Sequence, residues 1–143
     1  MVSAWGSAKS TALNKLILLN DRAAKNLKQP NEPLQEAYIR LKLFTIRSLY
    51  KIETVKFIKL FTEGKLPAEF TDIAVPISHH HDTRSANQHN YQLPPARTDL
   101  GKSSIKFQGI QVWNNLPLQL KTLSGLSFKK QLKAHFLKHE QGD

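Results

Sequence analysis

The chain of 143 residues contains no cysteine. This absence excludes disulfide bridges, zinc sites built on thiolates and catalytic cysteine nucleophiles, although it does not decide the cellular compartment. The length is sufficient for one compact domain, and the hydrophobic share of 40% allows a modest core.

Long apolar runs are missing as well. No window approaches the roughly 18 consecutive apolar residues that a membrane-spanning helix needs. The first ten residues, MVSAWGSAKS, lack the basic segment followed by an apolar segment that is typical of a secretory signal. We therefore expect an intracellular protein, in the cytoplasm or the nucleus, without a membrane partner.

The residue patterns of common catalytic sites are also absent from the sequence. The glycines are scattered singly, so there is no glycine-rich phosphate loop, and no spacing supports a Ser-His-Asp triad. No two aspartates are adjacent, whereas a polymerase needs paired aspartates to hold two catalytic metal ions. We predict no catalytic residues, no cofactor and no small-molecule substrate, so the chain is not expected to be an enzyme by itself.

Positive charge is abundant, with 21 Lys and Arg against 11 Asp and Glu and a net charge of +10. Residues 1–30 carry five basic residues against one aspartate, and residues 103–143 carry six lysines against two acidic residues. Residues 31–72 are nearly balanced, with seven basic and six acidic residues. This excess at both ends favours a polyanionic partner, although a basic surface that only keeps the protein soluble is the alternative.

The apolar periodicity predicts a mainly α fold. Helices are predicted over residues 8–28, from about Glu32 to Leu43, and from a Thr45 cap through about Glu63, with Gly64 just past the end. The face of the first helix comprises Leu13, Leu16, Ile17, Ala24 and Leu27. The third helix is predicted to be the centre of the core and to be covered on two sides, because it has one inward stripe and a second apolar stripe. The inward stripe comprises Ile46, Leu49, Tyr50, Phe57, Leu60 and Phe61, and the second stripe Ile52, Val55 and Ile58.

Three segments are predicted: a helical region over 1–73, an extended or partly disordered connector over 74–102, and a C-terminal segment over 103–143. In the last segment, residues 105–107 alternate like a short strand and residues 115–117 form a turn signal. A final helix is predicted from about Ser127 to Lys138, with Phe128, Leu132 and Phe136 on its apolar face.

The histidines do not predict a metal site. His79, His80 and His81 are consecutive, so neighbouring side chains point to opposite faces of an extended chain and cannot easily converge on one ion. His135 and His139 are four residues apart, but the glutamate of a zinc-protease helix is missing between them. Solvated or structural roles are the better interpretation.

Two further sets of side chains suit nucleic acid. Arg40, Arg47 and Lys51 have spacings of seven and four, and Lys129 and Lys133 stack on the last helix with Lys130 beside them, so these faces could contact phosphates. For these faces an ordinary solvated helix surface is the favoured interpretation. Trp113 and Phe107 could stack on unpaired bases, but packing in the core is the favoured interpretation.

A series of short motifs follows one order along nearly the whole chain. They are Trp5-Gly6, the segment Leu19–Lys25, Leu66-Pro67, His79-x-His81-x-Thr83-Arg84, Arg97-Thr98, Phe107-x-Gly109, Trp113-Asn114-x-Leu116-Pro117 and Phe128-Lys129-x-x-Leu132-Lys133. In this order the chain resembles the region downstream of the polymerase core in non-LTR (LINE-like) retrotransposon reverse transcriptases. It departs from that family's pattern at Asn20, Lys25 and His81, as a divergent copy would.

The resemblance implies a helical thumb-and-tail region, which helps to hold template RNA or target DNA while an upstream domain copies it. The catalytic aspartates and the endonuclease would precede residue 1, so a non-catalytic C-terminal fragment is expected, with the RNA or DNA backbone and an upstream polymerase domain as partners. The resemblance and the positive charge together predict nine phosphate contacts, which are Arg22, Lys25, Arg47, Lys51, Arg84, Arg97, Lys129, Lys130 and Lys133. A helical protein-interaction module and a retroelement remnant without function remain as alternatives.

Overall fold

A computed structural model describes residues 8, 10–77 and 88–139 of the chain. The regular structure in these ranges is helical, apart from one isolated β-bridge, so the predicted mainly α class is confirmed. In chain order the elements are α1 (Ser10–Leu27), α2 (Leu34–Arg40), α3 (Ile46–Thr62), a 3₁₀ turn (Ala68–Phe70), α4 (Asp99–Ser103), α5 (Ile105–Asn114), α6 (Leu118–Thr122) and α7 (Gly125–His139).

Helix α2 is shorter than predicted at both ends. Pro33 is the N-cap, with an extended backbone, and a proline disfavours the helical conformation of the residue before it, so Glu32 stays outside the helix. At the other end Lys42 adopts a φ of 53°, which turns the chain out of the helix soon after Arg40. The helix predicted from Glu32 to Leu43 therefore contracts to seven residues.

A buried tyrosine joins the first two helices. The Tyr38 hydroxyl donates to Asp21 Oδ1 at 2.8 Å and accepts from Asn20 Nδ2 at 2.9 Å. The Asn20 amide also donates to the Phe44 carbonyl at 3.2 Å. These bonds fix α1 against α2 and against the short link that leads into α3.

Helix α3 begins and ends where its capping residues predict. The Thr45 hydroxyl accepts from the Ser48 N–H at 3.2 Å, so the predicted N-cap is confirmed. At the other end Gly64 has a φ of 65°, and the Lys65 N–H reaches back to the Leu60 carbonyl at 2.9 Å. This is a Schellman ending, in which a glycine takes the left-handed position just after the helix.

The stripe of α3 that was expected to be secondary is the centre of the core. Ile52, Val55 and Ile58 are all essentially inaccessible, whereas Leu60 of the predicted main stripe is 42% exposed. The reason is that α5 and α7 pack on the side of Ile52 and Ile58, which the local pattern of α3 could not reveal. The prediction that α3 forms the middle of the core, covered on two sides, is confirmed. Within the predicted inward stripe Tyr50 is buried and Phe57 and Phe61 pack against the core, whereas the inward placement of Leu60 is wrong.

Helix α5 approaches α3 closely at a glycine. A methyl group placed on Gly109 would lie 3.1 Å from Ile58 Cδ1 and 3.2 Å from Thr54 Cγ2. Both of these α3 side chains are fully buried, so they have little room to move. The absence of a side chain at Gly109 therefore sets the distance between the two helices.

Residues 105–107 are not a strand. They form the first turn of α5, whose start is capped by the Ser104 hydroxyl accepting from the Phe107 N–H at 3.2 Å. The buried residues that follow, Gly109, Ile110 and Trp113, have helical spacing. Two alternating residues were too short a pattern to distinguish a strand from the capped turn of a helix.

The C-terminal segment completes the core. Residues 115–117 make the predicted turn, with the Leu116 N–H donating to the Trp113 carbonyl at 3.0 Å. Phe128, Leu132 and Phe136 of α7 are buried, so the predicted apolar face of the last helix is confirmed. Side chains from both 1–73 and 103–143 contribute to this one core, which comprises Ile52, Val55, Ile58, Ile73, Ala74, Ile110, Trp113, Leu116, Leu120, Phe128, Leu132 and Phe136.

The face of α1 is only partly covered. Leu13 and Ala24 are buried as predicted, but Leu16 is 40% exposed and Leu27 is 58% exposed. Both belong to the predicted apolar stripe, so that part of the prediction is wrong. Short α2 covers one side of the stripe and leaves its other side open.

Residues 75–77 and 90–92 of the predicted connector pair with each other around an isolated antiparallel bridge between Pro76 and Tyr91. The Ile77 N–H donates to the Asn90 carbonyl at 3.2 Å, and the Gln92 N–H donates to the Val75 carbonyl at 2.8 Å. Helix α4 begins at Asp99, inside the range predicted as connector. Residues 78–87, which include the three consecutive histidines and Arg84, lie outside the described residues.

Candidate nucleic-acid interface

The most distinctive motif, Trp113-Asn114-x-Leu116-Pro117, clamps a distant backbone segment. The Trp113 side chain is 1% exposed, and its indole N–H donates to the His89 carbonyl at 2.9 Å. The Asn114 amide accepts from the Tyr91 N–H at 3.0 Å and donates to the Tyr91 carbonyl at 2.8 Å. The predicted core role of Trp113 is confirmed, and the indole is not available for stacking on a base.

A buried lysine completes the clamp. Lys121 is 4% exposed, and its ammonium group donates to Asn90 Oδ1 at 2.6 Å and to the carbonyls of Gln88 and Asn114, both at 3.2 Å. Burial lowers the pKa of Lys121 to about 8, because a charged ammonium is disfavoured away from water. Three oxygen acceptors compensate part of that penalty, so this lysine organises the fold and does not face a ligand.

Sequence reasoning missed Lys121 as a structural residue. Its only local signal was its place among apolar neighbours, between Leu120 and Thr122 and close to Leu118 and Leu123. Its main partners are separated from it by 31 and 33 residues, so no local pattern could identify them.

Of the nine predicted phosphate contacts, eight lie within the described residues and all eight are exposed. Arg84 is the ninth and lies outside them. The exposed side chains lie on α1, on the first turns of α3, before α4 and on α7; they are Arg22, Lys25, Arg47, Lys51, Arg97, Lys129, Lys130 and Lys133. The set is thus spread over several surfaces, with helical spacings of three residues on α1 and of four residues on α3 and on α7.

Arg40 does not share a face with Arg47 and Lys51. It ends α2, where its guanidinium pairs with Glu32 at 2.8 Å and donates to the Leu27 carbonyl at 3.1 Å. The hydrogen bond from Arg40, together with one from the Gln29 N–H, lowers the pKa of Glu32 to about 2. The loop between α1 and α2 therefore uses this arginine for its own structure.

Arg47 and Lys51 line a groove of about 650 Å³ between α1, the start of α3, the end of α5 and α7. The four salt bridges in the described part of the chain use other cations. The wall of the groove is otherwise a mixture of polar and apolar side chains; it comprises Ile17, Asn20, Asp21, Thr45, Ile46, Ser48, Val112, Asn115, Leu116, His135 and Phe136. The spacing of Arg47 and Lys51 placed them on one face, and the structure shows both in this groove.

A second groove of about 380 Å³ lies between α3 and the start of α7, and Lys129 is one of its lining residues. Its cations are balanced by glutamates: Lys65 and Lys59 approach Glu63 at 2.6 Å and 3.7 Å. The hydrogen bond from Lys65 lowers the pKa of Glu63. Lys59 also donates to the Lys121 carbonyl at 2.9 Å and Lys56 pairs with Glu53 at 2.5 Å, so three of the four lysines of this groove are engaged within the fold.

The described histidines have structural surroundings. His89 is exposed at a φ of 52°, and its carbonyl is the acceptor for Trp113. His135 lies in the first groove, with its ring edge-on to Phe136 at 5.5 Å. Within residues 10–77 and 88–139, no three His, Asp or Glu side chains come together as a metal site would require.

No protein-family model, curated protein or solved structure matches the chain significantly. Among the described helices, none is both long enough and apolar enough to cross a membrane.

Proposed function

We propose that this chain is the non-catalytic C-terminal part of a non-LTR retrotransposon reverse transcriptase, and that it binds the backbone of RNA or DNA. The observation that carries the proposal is the ordered series of motifs on a chain with a net charge of +10. In this proposal the protein acts inside the cell, beside an upstream polymerase domain, and holds the strand that this domain copies.

The structure supports the proposal in two separate ways. The Trp113-Asn114 motif closes the fold on residues 88–91, so the motif that carries the resemblance makes a tertiary contact in this chain. The exposed cations on α1, α3 and α7 leave positive charge at the surface, where phosphates can reach it.

The proposed binding works through counterion release. A lysine or arginine that neutralises a phosphate frees a condensed cation, and the affinity therefore falls as salt is added. For single strands each neutralised phosphate contributes about −0.7 to the slope of log K against log salt. Such binding carries little sequence specificity, which suits a segment that holds any template.

The test is fluorescence anisotropy of the purified chain with a labelled, unstructured 20-nucleotide RNA across a potassium chloride series. We expect a slope of about −2 or steeper, which corresponds to about three phosphate contacts. Absence of binding in dilute buffer, or an affinity that does not change with salt, would refute the proposal. Incorporation of nucleotides by this chain alone would refute its non-catalytic part.

A matched pair of variants separates the proposed contacts from general charge. The double substitution Lys129→Ala and Lys133→Ala should make the slope shallower by about 1.4. The control is Lys102→Ala with Lys106→Ala, which removes the same charge from exposed lysines on α4 and α5 that do not line the groove of Lys129. Equal changes from both pairs would contradict a specific role for α7.

The second candidate is a helical interaction module, and the exposed leucines of α1 favour it. Leu16, Leu18 and Leu19 are 40%, 63% and 59% exposed, although they lie on the longest helix of the described chain. A dispersed NMR spectrum of the isolated protein with no binding of a hydrophobic dye would count against this function. Broad lines, with dye binding that Leu16→Gln and Leu19→Gln remove, would support it.

A further inference from the structure

The groove that contains Arg47 and Lys51 combines properties that neither a flat basic surface nor a closed core has. Its volume of about 650 Å³ lies within the range of ordinary ligand pockets, about 300–1,000 Å³. Two cations extend from α3, while Ile17, Val112 and Leu116 supply apolar surface from other elements. A ligand that fills it should carry negative charge on one part and a flat apolar body on another.

We propose that this groove binds one nucleotide of a single strand, with the phosphate at Arg47 and Lys51 and the base against the apolar wall. The inference rests on the proposed function and deepens it, because it names the site and the form of nucleic acid. Side chains with hydrogen-bonding capacity, Ser48 and Asn115 among them, line the same space and can meet the edge of a base.

The mixed lining of the groove favours a single strand over a duplex. In a duplex the bases are stacked and paired, so only phosphates and groove edges are offered to a protein. A single strand can turn a base outward and place it on an apolar surface, as proteins that bind unpaired nucleic acid use it. The side chains that line the groove come from α1, α3, α5 and α7, so a base turned outward can contact several of them, whereas a paired base stays in its stack.

The acidic side chain of the groove limits how much phosphate it can hold. Asp21 lines the α1 side, where its carboxylate accepts from the Tyr38 hydroxyl at 2.8 Å. The two cations lie on α3, so the positive and negative side chains come from different elements. This distribution of charged side chains permits one phosphate at the α3 side of the groove. It does not permit a row of several phosphates along the groove.

The first experiment fills the groove without changing its charge. Asn115 is exposed, lines the groove and has a backbone conformation that any residue adopts, so Asn115→Trp should fold and occupy the space. We expect it to weaken binding of a labelled U10 RNA at least about fivefold, the low end of the contribution from one stacked base. Binding of a ten-base-pair duplex should remain within about twofold of the wild type.

The second experiment removes the groove's charge and compares it with charge elsewhere. Arg47→Ala with Lys51→Ala should reduce the salt slope for U10 by about 0.7, the contribution of the one phosphate that the two side chains share. The control is Lys102→Ala with Lys106→Ala, since both lysines are exposed and outside the groove. If both pairs reduce the slope equally, or if Asn115→Trp binds U10 like the wild type, the groove is not the site, although the proposed function stands.

A measurement on the wild-type chain needs no substitution. In ¹H–¹⁵N NMR spectra, uridine 5′-monophosphate should shift the amide signals of Ser48 and Asn115, while inorganic phosphate should shift that of Ser48 and leave Asn115 unchanged. Identical shifts from both ligands would mean a simple anion site and overturn the inference. Displacement of U10 by a deca-glutamate peptide at equal concentration would overturn it as well. A wild-type chain that ignores RNA altogether refutes the proposed function, and the groove inference with it.

Discussion

Replacing Asn114 by alanine tests whether the Trp113-Asn114 motif stabilises the fold. The Asn114 amide makes two hydrogen bonds to the backbone of Tyr91, at 3.0 Å and 2.8 Å. A hydrogen bond contributes about 1 kcal/mol net, and an unsatisfied backbone group away from water costs about 1–3 kcal/mol. Because Tyr91 is only half-buried, water replaces part of the loss, and we expect destabilisation by about 2–3 kcal/mol.

The neighbouring asparagine is the matched control. Asn115 is exposed, so Asn115→Ala removes the same amide one residue along the chain without breaking the clamp. Surface substitutions of this kind usually stay within about 0.5 kcal/mol. The two variants therefore differ in tertiary contact and hardly at all in composition.

The assay is urea denaturation followed by circular dichroism and by tryptophan fluorescence. The chain has two tryptophans, so a Trp5→Phe background leaves Trp113, inside the clamp, as the single reporter. The free energies of unfolding of both asparagine variants are compared in this background. Equal values for Asn114→Ala and Asn115→Ala would refute the reasoning, since the clamp would then contribute nothing.

Three other substitutions probe the interior. Between about pH 8 and pH 10.5 the unfolded chain retains the proton of Lys121 that the folded chain loses. In urea titrations the free energy of unfolding of the wild type should therefore rise with pH, relative to Lys121→Met, by up to about 1.4 kcal/mol per pH unit. A difference that does not change with pH would contradict this. Gly109→Ala should lower the melting temperature, because overpacking against Ile58 costs about 1–3 kcal/mol and outweighs a helix-propensity gain of about 1 kcal/mol. A higher melting temperature would show that α5 can move away from α3. Thr45→Ala should lower the free energy of unfolding, measured by calorimetry, by about 1 kcal/mol, whereas Thr45→Ser keeps the capping hydroxyl and should lower it little. Equal decreases in the two variants would mean that the cap is not the cause.

The ends of the helices were predictable because their signals are local. Thr45 caps α3 through its own hydroxyl, and Gly64 takes a left-handed conformation that other residues adopt less readily. The face of α7 was also predictable, because Phe128, Leu132 and Phe136 form one narrow apolar stripe. In each case the physical cause lies within a few residues of the observed feature.

Which of the two apolar stripes of α3 lies deepest in the core was not predictable, because the cause lies far away in the sequence. Apolar residues surround much of this helix, so its own sequence offers two possible inward faces. The choice is made by Gly109, which lets α5 approach Ile58 and Thr54. That contact joins segments about 50 residues apart, and a pattern within one helix cannot contain it.

The candidate site was predictable only in its charge. The four-residue spacing of Arg47 and Lys51 placed both on one face of a helix, and the structure finds both in one groove. The apolar wall opposite them comes from α1, α5 and α7, so the existence of a groove depended on tertiary packing. The same spacing argument wrongly grouped Arg40 with Arg47 and Lys51, because Arg40 pairs with Glu32 instead.

The roles of the motif and of the cations can be tested independently. Trp113 and Asn114 act on residues 88–91 inside the fold, and a chain could keep that clamp while losing every surface charge. Arg47 and Lys51 are exposed, and their loss should leave the clamp intact. Asn114→Ala should therefore change stability before it changes nucleic-acid binding, whereas Arg47→Ala with Lys51→Ala should change binding at constant stability. If the second pair unfolds the chain, the cations belong to the fold, and the resemblance alone would have to support the proposed function.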